Sequence, residues 1–257
     1  MTALIRGFAN SSVQSEKAVP KWDLALVLHV LMSHPFEPLA SVTLKHLTLK
    51  TVFLISLASA KRRSEIHALD FDSVAFREDF SEVRLEVRQA FLAKSQIPCL
   101  ACTAINPLVI PALPVDPRMT EDLTLCPVRA LRTYLDRTAG IRAGRKRLFI
   151  SFKEGYSSEI CVSTVSSWVK QLILEAYKHS SSDDLRLFQA KPHEVRALSS
   201  SWALFCRSSF ESVMAAAQWR SHNTFTGTYL RDCTFIRNGM RTLGPVVVAQ
   251  SVVHPPQ

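Results

Sequence analysis

The sequence contains no run of about 18 consecutive apolar residues, the length that a membrane-spanning helix requires. Its most hydrophobic stretch, residues 51–60, is too short and runs directly into Lys61, Arg62 and Arg63. The first 20 residues also lack the uninterrupted apolar segment of a signal peptide. These two absences predict a soluble intracellular protein.

Acidic residues are scarce relative to basic ones, with 22 Asp and Glu against 31 Lys and Arg. The resulting net charge of +9 and the isoelectric point near 9.5 favour a polyanionic partner. Internal repeats and low-complexity segments are also absent. Hydrophobic residues make up 47% of the 257 residues, which excludes a collagen-like, coiled-coil or wholly disordered chain and predicts a substantial core.

The six cysteines are scattered, and a chain of this length does not need disulfides to fold. We therefore expect a reduced protein of the cytosol or nucleus. Cys99 and Cys102 form a lone CxxC in a proline-rich segment, without a second CxxC or a Cys–His pair at zinc-finger spacing. We interpret them as two small apolar side chains in a loop rather than as zinc ligands.

Apolar residues recur at helical spacing through most of the sequence. The predicted helices run from Trp22 to His34, from Ser41 or Thr43 to the basic residues at Lys61, from Val128 to Gly140, from Val162 to Tyr177, from Pro192 to Cys206, from Phe210 to Gln218 and from Asn223 to Arg231. The second of these is so continuously apolar that we expect it to be a central, buried helix.

A different pattern, with a period of two, appears at Val83, Leu85 and Val87, which alternate with charged residues. It predicts a half-exposed strand in a small antiparallel sheet, with Lys94 near a turn, and a second short strand is expected at residues 147–151. Prolines between residues 98 and 127 forbid long regular elements there. The predicted fold class is therefore a mostly helical α+β domain over residues 21–240, with a polar lead-in at residues 1–20 and a C-terminal tail at residues 241–257.

His193 and Arg196 lie three residues apart on a predicted helix, so their side chains leave the same face. A guanidinium beside an imidazole suits a phosphate, because the two groups donate several hydrogen bonds to its oxygens. Pairs of this kind are also common on solvated helices. This motif therefore needs support from elsewhere in the chain.

Two further features have both a chemical and a plain structural interpretation. An arginine among Lys61, Arg62 and Arg63, fixed at the end of a buried helix, suits a phosphate, but three cations there also suit a solvated cap on the helix C-terminus. Tyr229 lies near cationic residues and Trp219, and cations that bind a phosphate also favour an ionised, nucleophilic phenol. The alternative is a tyrosine packed at the edge of the core with its hydroxyl in water.

These residues, taken in order, resemble the signature of the tyrosine recombinases of the phage-integrase type. The resemblance consists of Ala60 to Leu69 (AKRRSEIHAL), Lys94 after a strand, His193 to Arg196 (HEVR), Trp219 and Tyr229. Four further segments are similar to recombinases of DIRS-type eukaryotic mobile elements, namely Lys21 to Leu24, Pro35 to Pro38, Cys126 to Leu131 and Ser201 to Leu204. The likeness extends from about residue 21 to residue 231.

The resemblance implies a role for each matching residue. Arg62 is the expected first catalytic arginine, with Arg63 as the alternative, and Glu65 is expected to orient or support it. The remaining implied roles are a proton donor to the leaving 5′-oxygen at Lys94, a second phosphate-binding pair at His193 and Arg196, the His-or-Trp position at Trp219 and the nucleophile at Tyr229.

The resemblance further implies a site-specific recombinase or integrase that breaks and rejoins double-stranded DNA through a 3′-phosphotyrosyl intermediate, with no metal and no cofactor. It implies self-association on DNA and a nuclear location, and it makes residues 21–240 a catalytic domain without the core-binding domain that normally precedes it. Gln218 departs from the glycine common in the family, and the gap between Trp219 and Tyr229 is about one residue longer than usual. Two alternatives are a catalytically inactive DNA-binding remnant and a DNA-relaxing enzyme of the type IB topoisomerase kind.

Overall fold

The computed structural model describes residues 22–89, 91–92, 106–113, 120–153, 155, 158–179, 193–205, 209–217, 236–237 and 240–241. Its α-helices are α1 (Leu24–Leu31), α2 (Leu44–Ser59), α3 (Arg63–Ala68), α4 (Pro127–Thr138), α5 (Val162–His179), α6 (His193–Phe205) and α7 (Phe210–Ala216). Its strands are β1 (Ala75–Phe76), β2 (Glu82–Leu85), β3 (Leu108–Pro111), β4 (Ile236–Arg237) and β5 (Met240–Arg241). Two short 3₁₀ helices occupy Thr120–Leu125 and Ala139–Ile141. The predicted mostly helical α+β fold with a small antiparallel sheet is confirmed.

Helix α2 is the central helix of the domain, as its apolar sequence predicted. The Thr43 side chain caps its N-terminus by accepting the His46 N–H, and nearly every residue from Leu47 to Ser59 is buried. The helix packs against α4, α5 and α6. It ends at Ala60, which adopts the left-handed conformation (φ 50°) and turns the chain towards Lys61.

The sheet has the strand order β1-β2-β3, and both pairings are antiparallel. Val83 and Leu85 are fully buried while Arg84 is exposed, so the predicted alternation in β2 is confirmed. Val87 extends this pattern only as an isolated bridge to Leu69. Strand β3 lies at an edge of the sheet, where the missing N–H of Pro111 costs no ladder hydrogen bond.

The predicted strand at residues 147–151 is wrong. Only Arg147 forms a bridge, to Asp70, and the next three residues, Leu148 to Ile150, are all buried instead of alternating. Their backbone groups bind neighbouring elements: Leu148 N–H donates to Leu69 O at 2.9 Å, and Ile150 N–H donates to the buried Tyr134 hydroxyl at 2.9 Å. The segment is a buried connection rather than a strand.

A partly buried ionic network joins α1, α2 and α4. Lys50 is fully buried, and its ammonium donates to Leu31 O at 2.7 Å and to Glu37 Oε1 at 2.6 Å. Arg129 donates to both oxygens of Glu37, at 2.8 and 3.0 Å. Burial lowers the pKa of Lys50 to about 8, an effect that hydrogen bonding to Glu37 partly opposes. This network brings together residues 35–38 and 126–131, two of the segments quoted above for the resemblance.

None of the helices in the described ranges is long and apolar enough to cross a membrane. The predicted lead-in at residues 1–20, the predicted helix at residues 223–231 and all of the predicted tail except Arg241 lie outside the described residues.

Candidate active site

Arg62 lies at the N-terminus of the short helix α3 and is bound to a residue of that same helix. Its backbone N–H donates to Glu65 Oε2 at 2.6 Å, and its guanidinium Nη1 donates to Glu65 Oε1 at 3.3 Å. The Arg62 side chain is 25% exposed, whereas Glu65 is buried. Arg62 is therefore held against a buried carboxylate while part of its side chain stays exposed.

Arg63, the alternative first arginine, points elsewhere. It is exposed and donates from Nη1 to Ser166 Oγ on α5 at 3.2 Å. Successive side chains at a helix start point in directions that differ by about 100°. Because α3 begins at Arg63, the side chains of Arg62 and Arg63 point in different directions. Of the two, it is Arg62 that contacts Glu65.

Arg196 on α6 meets the same carboxylate from a distant part of the sequence. It is only 4% exposed, and its Nη1 lies 3.6 Å from Glu65 Oε2. Its Nη2 donates to the backbone carbonyl of Ala217 at 3.0 Å. Glu65 thus bridges Arg62, the first catalytic arginine that the resemblance implies, and Arg196, a member of the second phosphate-binding pair that it implies.

Lys61 adds a third cation to this cluster. It is not among the site residues predicted from the sequence. It is 8% exposed and lines a small cavity with Glu65, Asn106 and the apolar side chains of the sheet. Burial lowers its pKa from 10.5 to about 8; Glu65 opposes this shift, and Arg196 and Arg62 add to it. Three cations surround one carboxylate, and this excess positive charge suits an anionic ligand. The solvated-cap interpretation fails for Lys61, because a solvated cap would be exposed.

A small hydrophobic cluster packs beside the candidate site. Ala60, the residue that ends α2, packs with Val213, Met214 and Ala217 of α7 and the turn after it. The carbonyl of Ala217 in turn accepts the hydrogen bond from Arg196. The chain segment that carries the Lys61–Arg62 pair and the end of α7 are therefore held against each other.

Helix α6 is itself anchored by hydrogen bonds of two of its side chains. Near its N-terminus, Glu194 accepts a hydrogen bond from the Trp22 indole at 3.0 Å. Five residues further on, the Ser199 hydroxyl donates to Leu57 O of the central helix at 2.5 Å. These contacts fix the position of Arg196 relative to the start of α1 and to α2.

The structure describes only part of the predicted residue set. His193 is the first residue of α6, about one turn before Arg196. The structure describes its place in the helix but not its side chain. Lys94, Trp219 and Tyr229 also lie outside the described residues. Their catalytic roles stay predictions, whereas the meeting of Arg62 and Arg196 at Glu65 is a feature of the structure.

Comparison with known proteins agrees with this arrangement at the level of the fold. The chain is similar to the crystal structure of XerA recombinase, with a TM-score of 0.53 and 14% identity over 96% of this chain and 68% of that one. It also resembles the crystal structure of a lambda integrase dimer bound to a COC′ core site, with a TM-score of 0.47 and 13% identity over 90% of this chain and 54% of that one. No protein-family model and no curated protein matches the sequence.

XerA is a tyrosine recombinase, and the described part of this chain shares its mostly helical architecture with a small antiparallel sheet. The protein therefore has the tyrosine-recombinase fold. Two arginines and a lysine around a buried glutamate occupy its candidate site.

Proposed function

We propose that this protein is a DNA strand transferase of the tyrosine-recombinase type, which breaks and rejoins DNA through a 3′-phosphotyrosyl intermediate. One observation carries the proposal: Glu65 joins Arg62 and Arg196, two arginines far apart in the sequence, within a fold similar to that of XerA recombinase. The same two arginines belong to the ordered motif that resembles this family.

The charges of the site suit a phosphodiester that becomes more negative during the reaction. Each guanidinium donates parallel hydrogen bonds to the non-bridging oxygens of a phosphate. Because Glu65 already holds Arg62 and packing holds Arg196, little reorganisation is needed as charge develops in the pentavalent transition state. Glu65 cancels one positive charge and leaves a net excess for the phosphate.

In the proposed reaction, the Tyr229 hydroxyl oxygen attacks the scissile phosphorus and gives up its proton to water. The bond from phosphorus to the 5′-oxygen breaks, and Lys94 protonates that oxygen, which leaves as a 5′-hydroxyl. His193 donates a hydrogen bond to the phosphate, and Trp219 takes the His-or-Trp position of the family. The phosphotyrosyl bond conserves the energy of the cleaved bond, so a 5′-hydroxyl from another strand reverses the step without ATP.

The proposed partner is double-stranded DNA, which the net charge of +9 favours. We also propose self-association on DNA and a nuclear location, both following from the resemblance to recombinases of eukaryotic mobile elements. Crosslinking on DNA tests the self-association, and a fluorescent fusion expressed in eukaryotic cells tests the location.

A covalent-trapping experiment tests the chemistry. The protein is incubated with a pool of randomised DNA duplexes that carry a nick, so that cleavage beside the nick releases a short fragment and prevents religation. Wild-type protein should give complexes that resist SDS, and sequencing the trapped DNA would identify the target. Tyr229→Phe should bind DNA without forming such complexes, and Arg62→Ala and Arg196→Ala should form them at least about 100-fold more slowly.

The control for this experiment is Arg77→Ala, which removes an exposed arginine whose neighbours Asp79 and Glu82 already balance its charge. It should form covalent complexes as wild type does. If wild-type protein shifts DNA in a gel but forms no covalent complex with any member of the pool, the chain is a catalytically inactive DNA-binding module.

A further inference from the structure

Arg63 stands out because it lies next to the candidate site but faces away from Glu65. Its guanidinium donates to Ser166 Oγ on α5, and it has no carboxylate partner in the part of the chain that the structure describes. Arg62 and Arg196, by contrast, share Glu65. An exposed arginine positioned by a hydroxyl, beside two partly neutralised arginines, presents its charge outward from the site.

The exposed face of α5 continues this positive surface. Lys170 is exposed and lies one turn after Ser166, so the two side chains share a helix face. Residues 162–174 of this helix contain no acidic side chain. No carboxylate pairs with Lys170 in the described ranges.

Elsewhere around α5, several cations have carboxylate partners. Just before the helix, Glu159 pairs with Arg88 and Arg147, and near its C-terminus, Glu175 pairs with Lys45. Beside Arg63, by contrast, neither Arg63 nor Lys170 pairs with a carboxylate in the part of the chain that the structure describes. Surface cations of this kind bind the phosphates of nucleic acids.

We infer that Arg63, Ser166 and Lys170 form a phosphate track, a binding surface for the backbone of double-stranded DNA beside the phosphate held by Arg62 and Arg196. Ser166 and Lys170 lie about 6 Å apart along the helix axis. The inference depends on the proposed function only for its DNA partner.

The phosphate track predicts a loss of affinity rather than a loss of chemistry. Arg63→Ala and Lys170→Ala should each bind a fluorescein-labelled DNA duplex about tenfold more weakly at about 0.1 M salt. The slope of log affinity against log salt concentration should become shallower by about 0.9 for each variant, because each removes one phosphate contact. Arg63→Lys, which keeps the charge, should retain the wild-type slope.

Two comparisons make the measurement by fluorescence anisotropy decisive. Arg77→Ala, whose charge is already balanced by Asp79 and Glu82, should keep the wild-type affinity and slope. Covalent trapping distinguishes the role of Arg63 from that of Arg62. Saturating DNA should restore the cleavage rate of Arg63→Ala to within about twofold of wild type, but it should not restore the cleavage rate of Arg62→Ala.

Wild-type slopes in both Arg63→Ala and Lys170→Ala would overturn the phosphate track while leaving the proposed reaction untouched. A cleavage defect in Arg63→Ala that persists at saturating DNA would also overturn it, because Arg63 would then act on the reacting phosphate. Absence of salt-dependent DNA binding by wild type would refute both the track and the proposed function. Loss of covalent trapping with the slopes behaving as expected would refute only the proposed reaction.

Discussion

Replacing Glu65 with glutamine should destabilise the folded protein and release its two arginines from their shared carboxylate. Glu65 is 2% exposed and accepts hydrogen bonds from the backbone N–H and the guanidinium of Arg62. It also forms the ion pair with the buried Arg196 at 3.6 Å. Glutamine keeps the shape and one acceptor oxygen but removes the negative charge, so the buried Arg196 would lose its ion pair with Glu65.

The size of this effect follows from the burial of the pair. Removing one partner of a buried ion pair costs about 3–5 kcal/mol. The lower end, about 3 kcal/mol, applies here because glutamine still accepts a hydrogen bond and because solvent partly screens Arg62. For a chain of this length, a loss of about 3 kcal/mol lowers the melting temperature by roughly 6–12 °C.

Equilibrium unfolding in urea, followed by circular dichroism, measures this loss directly. Glu78→Gln is the matched control, since Glu78 is exposed, and it should change the free energy of unfolding by less than about 0.5 kcal/mol. In a double-mutant cycle, Arg196→Met should cost less in the Glu65→Gln background than in wild type. A Glu65→Gln variant as stable as wild type would refute the conclusion that Glu65 holds the two arginines together.

Three further variants test other contacts, each by the free energy of unfolding. Burial lowers the pKa of Lys61 from 10.5 to about 8 in the folded protein, so the unfolded chain binds more protons between these pH values. Wild-type stability should therefore rise over that interval relative to Lys61→Met, and Lys61→Met should be the more stable protein at pH 7. An unchanged difference across these pH values would contradict this. Burial lowers the pKa of His67 below 6.5, so the unfolded chain binds the proton first as the pH falls. Wild type should therefore lose stability relative to His67→Gln as the pH falls through 6.5. Parallel curves of unfolding free energy against pH for the two proteins would contradict this. Tyr134→Phe should cost about 1–3 kcal/mol, because the buried Ile150 N–H loses its acceptor, and a cost below about 0.5 kcal/mol would disprove that role.

Local sequence patterns predicted the long helices because each helix satisfies its own backbone hydrogen bonds and buries one apolar face. The periodic apolar residues of α2 and α5 therefore located these helices before any tertiary contact was known. The short helix α3 was not predicted. Six residues are too few to show a period, and the helix depends on Glu65, which accepts the Arg62 N–H, and on packing against α5.

The error at residues 147–151 has a related cause. The sequence of Leu148 to Ile150 is apolar, as in a strand, but the segment lies between elements that bury all three side chains and bind its backbone groups. Pairing with a neighbouring strand depends on what lies beside the segment, and a local pattern does not contain that information. Burial of Lys61 was missed for the same reason, since a lysine in a basic cluster is normally exposed.

By itself, the sequence determined the order of the main helices, the strand at β2, the excess of positive charge and the set of residues that resembles a recombinase signature. Only the tertiary structure decided that Arg62, and not Arg63, shares Glu65 with Arg196, and that Lys61 is buried beside them. The physical reason is that helix formation is governed by residues three or four positions apart. The meeting of α3 with α6 depends instead on how both elements pack around α2, and on the residue at which α3 begins.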